Sequence, residues 1–237
     1  MRVQLLVFLF GAAVLQSMAA TINWQGYTWN VKSGAGLGPG PNTWNGSNVV
    51  IDANGLLHLK ISKVRTKWTC AEVSTVALGY GTYQFHVIGS IDAFDPYVVL
   101  GLFPYAGPDG TNEIDMEFSR WGKTKASSPN GVWTVYPNDA QGVIGSSPFS
   151  FALSEGNYTT ARMTWTASSV TYWLMGGHQP VGKTTNVINT WTYAPANPQH
   201  NIPQTAMPLH INLWLFQGRA PLNARPVEVV ISSFTKV

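Results

Sequence analysis

The sequence predicts an all-β fold, a sandwich or jelly roll of two packed antiparallel sheets, and three observations carry that prediction. Short segments rich in β-branched and aromatic residues recur along the chain, separated by Gly, Pro and Asn turn signals. No segment sustains a helical period with caps at its ends. Setting aside an N-terminal leader, about 217 of the 237 residues remain, enough for one large β domain with a substantial core, and no repeat, charge block or low-complexity linker divides it.

The leader is residues 1–20. Arg2 supplies a positive charge, an apolar run extends from Val3 to Leu15, and the small residues Ser17, Ala19 and Ala20 follow. That is the anatomy of a secretory signal peptide cut after Ala19 or Ala20, and the run is short for a membrane span. Residues 21–237 would then be a single, secreted and soluble domain.

The next stretch, Trp24 to Trp44, contains Gly34, Gly36, Gly38 and Gly40 with Pro39 and Pro41. It is not a phosphate-cradling loop, because no strand-to-helix context follows and the prolines remove amide donors. It reads as a long loop forming one wall of a ligand cleft. Strand patterns then recur at 48–52, 56–62, 68–75, 82–88, 97–103, 112–118, 132–136, 160–166, 169–175, 209–216 and 226–234. The intervening 119–131 and 176–206, rich in Pro, Gly, Asn and Thr, read as loops. So many short strands around one core favour packed antiparallel sheets over a parallel α/β sheet.

The run from Glu113 to Glu117, EIDME, carries the chemistry. On a strand Glu113, Asp115 and Glu117 share one face, while Ile114, Met116 and Phe118 share the other. One face enters a core and the other meets water or a ligand. A strand exposed on one side shows the same alternation, but here the polar face is all acid, in a chain with only 11 acids. Same-face neighbours lie about 7 Å apart, where two like charges repel by roughly 2 kcal/mol at an effective dielectric near 20. The three cannot all stay ionised, and the proton left behind is a ready general acid. Glutamates at the two ends have Cα atoms about 13 Å apart, and side chains leaning together bring their carboxyls to roughly 5–6 Å, the separation of a retaining glycosidase pair.

Composition narrows the ligand. Charged residues make up 11% of the chain and aromatics 12%, with ten tryptophans, so the surface relies on hydroxyls, amides and rings. Such a surface suits a neutral polysaccharide. A formal charge of +3 provides no basic stripe for nucleic acid. Cys70 is the only cysteine, so no internal disulfide can form, and it reads as a small buried hydrophobe. His58, His86, His178, His200 and His210 are scattered without metal-ligand spacing.

At the acidic run the chain resembles glycoside hydrolase family 16, the lichenase and laminarinase group, whose signature is Glu-x-Asp-x-Glu. Cys70-Ala71-Glu72, Tyr80-Gly81-Thr82-Tyr83, the acids, Trp165, Asn212-Leu213-Trp214 and a closing strand from Val227 to Phe234 extend the resemblance over nearly the whole mature chain. It implies a concanavalin-like β-jelly roll with a concave substrate cleft, in which Glu113 is the nucleophile, Glu117 the general acid/base and Asp115 the acid that assists them. It further implies substrate contacts from Glu72, Asn212 and Trp214; Trp121 and Trp133, near the acids, are either cleft or core residues. Ser74 stands where lichenases carry an arginine, Thr111 where they carry a tryptophan, and Asn42 where they carry the disulfide partner of Cys70. The activity implied is that of an endo-acting retaining β-glucanase on a β-glucan-like polysaccharide, working as a monomer without a required cofactor and with room for a structural calcium whose ligands the sequence does not identify. A transglycosylase and a non-catalytic carbohydrate-binding protein are the alternatives on the same scaffold.

Overall fold

A computed structural model describes residues 20–237, so the signal peptide expected over 1–20 lies, but for Ala20, outside the described residues. The first strands are β1 (Ala20–Trp24), β2 (Tyr27–Val31), β3 (Gly34–Leu37), β4 (Asn42–Trp44), β5 (Val49–Ile51) and β6 (Leu57–Val64). Then come β7 (Lys67–Thr69), β8 (Ala71–Leu78), β9 (Gly81–Ile88), β10 (Val98–Pro104), β11 (Ile114–Phe118) and β12 (Gly131–Val135). The last are β13 (Gly145–Phe149), β14 (Tyr158–Trp165), β15 (Val170–Gly176), β16 (Val187–Tyr193), β17 (Met207–Leu215) and β18 (Val227–Lys236), with one short helix, α1 (Pro198–Asn201), before β17.

Two large antiparallel sheets form the jelly-roll sandwich. The first runs β1-β2-β8-β17-β10-β11-β12-β13, and the second β16-β15-β14-β9-β18-β6-β5 with β7 paired to β6. Alternation explains which side of each strand enters the core. Ile114, Met116 and Phe118 of β11 face Phe85, Met163, Tyr172 and their neighbours of the second sheet in one continuous apolar cluster. Aromatic rings bridge the layers: Trp133 stacks on Tyr172 with centroids 5.1 Å apart, and its indole Nε1 donates to Asn189 Oδ1 at 2.7 Å. Central β10, VVLGLFP, is buried throughout, as a continuous apolar run in mid-sheet requires.

The structure corrects two of the loop assignments and adds a strand where none was expected. Residues 24–44 hold β2, which joins the first sheet through β8, and the hairpin β3–β4. Gly and Pro set the turns there, while Tyr27, Trp29 and Val31 supply the strand alternation that the glycine count obscured. Residues 176–206 contain edge strand β16 and α1, and β13 lies in a stretch, GSSPF, too polar to read as a strand. Cys70 is fully buried, its thiol pushed up to about 12 by burial. It faces Asn42, donating to Asn42 Oδ1 at 3.4 Å, while Asn42 Nδ2 donates to Pro39 O at 2.8 Å and Leu215 O at 2.9 Å.

Candidate active site

Strand register brings the site together. Glu117 pairs with Gly101, Gly101 with Asn212, and Asn212 with Glu72, so a row of cross-strand neighbours crosses β11, β10, β17 and β8 on the face turned away from the core. In parallel, Tyr105 bridges to Glu113, and Phe103 pairs with His210. Asn112, at φ 51°, turns the chain into β11; Asn tolerates this left-handed backbone better than other side-chain-bearing residues. Its amide donates to Pro137 O at 2.8 Å, and the amide of Tyr136 donates to Glu113 O at 2.9 Å, which fixes the entry of Glu113.

The row opens into a cavity of about 600 Å³, with Glu113, Asp115 and Glu117 in its lining. Asp115 is only 4% exposed, whereas the two glutamates are half-buried. Glu72, Asn212 and Trp214 also line it, as do Lys32, Gly38 and Pro39 from the N-terminal wall. Trp133 does not: as the partner of Met116 it points into the core, fully buried. Trp121, at φ 45° in the turn after β11, also lies outside the lining. Sequence proximity to the acids was misleading for both, because Trp133 has the parity of the apolar face and Trp121 follows the strand's end.

Residues that sequence reading passed over complete the lining: Phe103, Tyr105, Asp109, Gly110, Tyr136 and His210. Their signal was present in the parity, since Phe103 and Tyr105 alternate with Gly101, and His210 alternates with Asn212 and Trp214. His210 stacks on Phe103, ring centroids 5.2 Å apart, and donates from Nδ1 to Glu72 Oε1 at 3.2 Å.

The acids are electrostatically unequal. Burial pushes Glu117 up to about 7, helped by the charge of Glu113. Burial also pushes Glu113 up to about 7, with a further push from Asp109, but a hydrogen bond from Asp115 pulls in the opposite direction. Asp115 is raised well above the usual range by burial, by the charges of Glu113 and Glu117, and by that hydrogen bond. The innermost carboxyl is thus the one held most firmly protonated, and its hydrogen bond to Glu113 favours the Glu113 carboxylate, a contact that Glu117 does not share. This arrangement offers a nucleophile and an acid on one strand. Across the floor, burial alone would raise Glu72, but the hydrogen bond from His210 and the charge of Lys32 outweigh it and hold this carboxyl below its usual value. Among the described residues no group of three or more His, Cys, Asp or Glu side chains is arranged to hold a metal ion.

No protein-family model matches the sequence, and neither does any curated protein sequence. Solved structures do match. A Bacillus licheniformis β-glucanase aligns at TM-score 0.64 and 22% identity over 93% of this chain and 99% of the other. A glycoside hydrolase family 16 endo-glucanase from Bacteroides ovatus, in complex with G4G3G-2F-DNP, aligns at 0.62 and 12% over 88% and 94%. A Mycobacterium tuberculosis protein described as an immunostimulatory antigen and pseudo β-1,3-glucanase aligns at 0.62 and 18% over 88% and 89%. What such distant relatives share is architecture, and the chain has the jelly-roll fold of the glycoside hydrolase family 16 glucanases.

Proposed function

We propose that the protein is a secreted, endo-acting, retaining β-glycanase, with a β-glucan-like polysaccharide as substrate. One observation carries the reading: three acids on one face line an open cavity, the middle one held protonated by burial and by the charges on either side, and the outer two both raised toward neutrality. Glu113 attacks the anomeric carbon while Glu117 protonates the departing glycosidic oxygen, giving a glycosyl ester on Glu113. Esterification removes the Glu113 charge that held Glu117 up, so the pKa of Glu117 falls once it has lost its proton. It then acts as base toward the incoming water, whose attack cleaves the ester with net retention. Asp115 holds Glu113 and steadies the shared proton. Trp214 supplies a ring face for a sugar, and Glu72 and Asn212 supply hydroxyl partners. Secretion rests on the leader at 1–20.

Glu113→Gln should lower the hydrolysis rate by about a thousandfold or more while glycan binding persists. Reducing-end release from mixed-linkage glucan, laminarin, xyloglucan, xylan and agar measures the first, and retardation in glycan-loaded gels the second. Undiminished turnover by the variant would reject the assignment. The second reading is a non-catalytic carbohydrate-binding protein, favoured by a structural neighbour described as a pseudo β-1,3-glucanase. Gel retardation by the unaltered protein with no reducing ends released would decide for it.

A further inference from the structure

The wall and the floor of the cavity meet at Lys32, a residue that the proposed reaction does not use. Its Nζ donates to Gly38 O at 2.6 Å, to Glu72 Oε2 at 3.0 Å and to Glu72 Oε1 at 3.1 Å, and it sits 4.3 Å from the centroid of the Trp44 ring. One ammonium thus ties the cavity wall to β8 and spends its donors entirely on the protein. Ser74, two residues beyond Glu72, faces Asn30 and His210 in the register and brings no charge, so the cation beside Glu72 comes from the end of the neighbouring strand.

What Lys32 fixes is passed on. With Glu72 only 5% exposed, its Oε2 also accepts from Asn212 Nδ2 at 3.4 Å, which settles which way that amide points. The other end of the amide, Asn212 Oδ1, is buried and has no hydrogen-bond partner. It lies over Gly101, where an added Cβ would come within 2.6 Å of it, and Gly101 is the cross-strand neighbour of Glu117. A buried acceptor without a donor is costly, and Asn212 lines the same cavity as Glu117, the acid that would protonate a glycosidic oxygen.

We infer that Lys32 is a positioning residue for the glycan: by clamping Glu72 it orients Asn212, whose orphaned carbonyl oxygen accepts a hydroxyl of the sugar seated over Gly101. The ligand class is a neutral, hydroxyl-bearing sugar ring that presents a donor at that point, and the role rests on the glycanase reading above. Lys32 touches no reacting atom, so its loss acts on binding rather than on bond cleavage. Because its charge holds Glu72 ionised, its loss also lets Glu72 take up a proton at a higher pH.

The test uses affinity electrophoresis on mixed-linkage β-glucan in the Glu113→Gln background at about pH 5 and about pH 8, with hydrolysis measured separately in otherwise unaltered protein. Lys32→Met should weaken binding about tenfold at the higher pH and more at the lower, and Lys32→Arg should restore most of it. In the active protein Lys32→Met should raise KM by a similar factor and leave kcat within about twofold. Should Lys32→Met fail to fold, Lys32→Gln keeps a donor without the charge, and the acid-side loss of affinity is read there. Equal affinity of the parent and the neutral variant at both pH values overturns the inference, as does an arginine variant as weak as the methionine one. If the unaltered protein cuts none of the glycans but binding still depends on Lys32, the hydrolase reading fails and the inference stands; a parent that binds none of them sinks both.

Discussion

Asp115 is the side chain on which the proposed chemistry turns, and its burial sets two opposite expectations. Its folded pKa lies well above the ordinary carboxylate range, so the folded protein binds a proton that the unfolded chain releases, and stability falls as pH rises above that range. Asp115→Asn removes the cost of keeping a proton on a carboxyl that the unfolded chain would ionise. It should raise the melting temperature at pH 8 by roughly 2–4 °C for each kcal/mol recovered and leave it little changed at pH 4. The same substitution should lower kcat/KM by about a hundredfold, because an amide cannot exchange the shared proton. Glu113→Gln offers a second check at this scale: with the Glu113 charge gone, the Glu117 carboxyl should titrate below about 7, as followed by carbon NMR of the labelled side chain. An unmoved titration would separate the two carboxyls electrostatically and undo the acid-to-base switch.

At the scale of the strand, parity decides what each tryptophan and glycine does. Trp133 and Trp214 look alike in the sequence, yet one stacks on Tyr172 in the core and the other lines the cavity. Trp133→Ala should cost about 3–5 kcal/mol in chemical denaturation, whereas Trp214→Ala should chiefly raise KM. Gly101→Ala places a methyl 2.6 Å from Asn212 Oδ1 and 3.2 Å from the Phe103 ring, so it should cost about 1–3 kcal/mol and weaken glycan binding. The acidic strand was legible because its alternation is uninterrupted; Ile114 to Phe118 form β11 within the expected 112–118. The segment around Trp29 was not, because glycines and prolines that belong to its flanking turns dominate the local composition. Trp133 could have been placed by counting parity from Met116 across the pair, but register is a property of two strands and a single sequence shows only one at a time.

For the molecule as a whole, activity should follow a bell in pH centred near 7, since Glu113 and Glu117 are both raised to about 7 and the productive form holds one proton between them. Full activity persisting above pH 9 would show that Glu117 does not supply that proton. The fold class was readable from strand count and turn spacing, and so was the acid row. The cavity's other contributors, among them His210 and Tyr136, were hidden because they come from strands far apart in the chain that only sheet order makes neighbours. The Asn42 and Cys70 contact has a practical corollary of its own. The wall is tied down by an amide that bonds to Pro39, Leu215 and the thiol, with no covalent cross-link to make or break. The domain should therefore be indifferent to reductants: its melting temperature should be the same with and without dithiothreitol, and a bacterial cytosol should serve for producing it as well as an export pathway does.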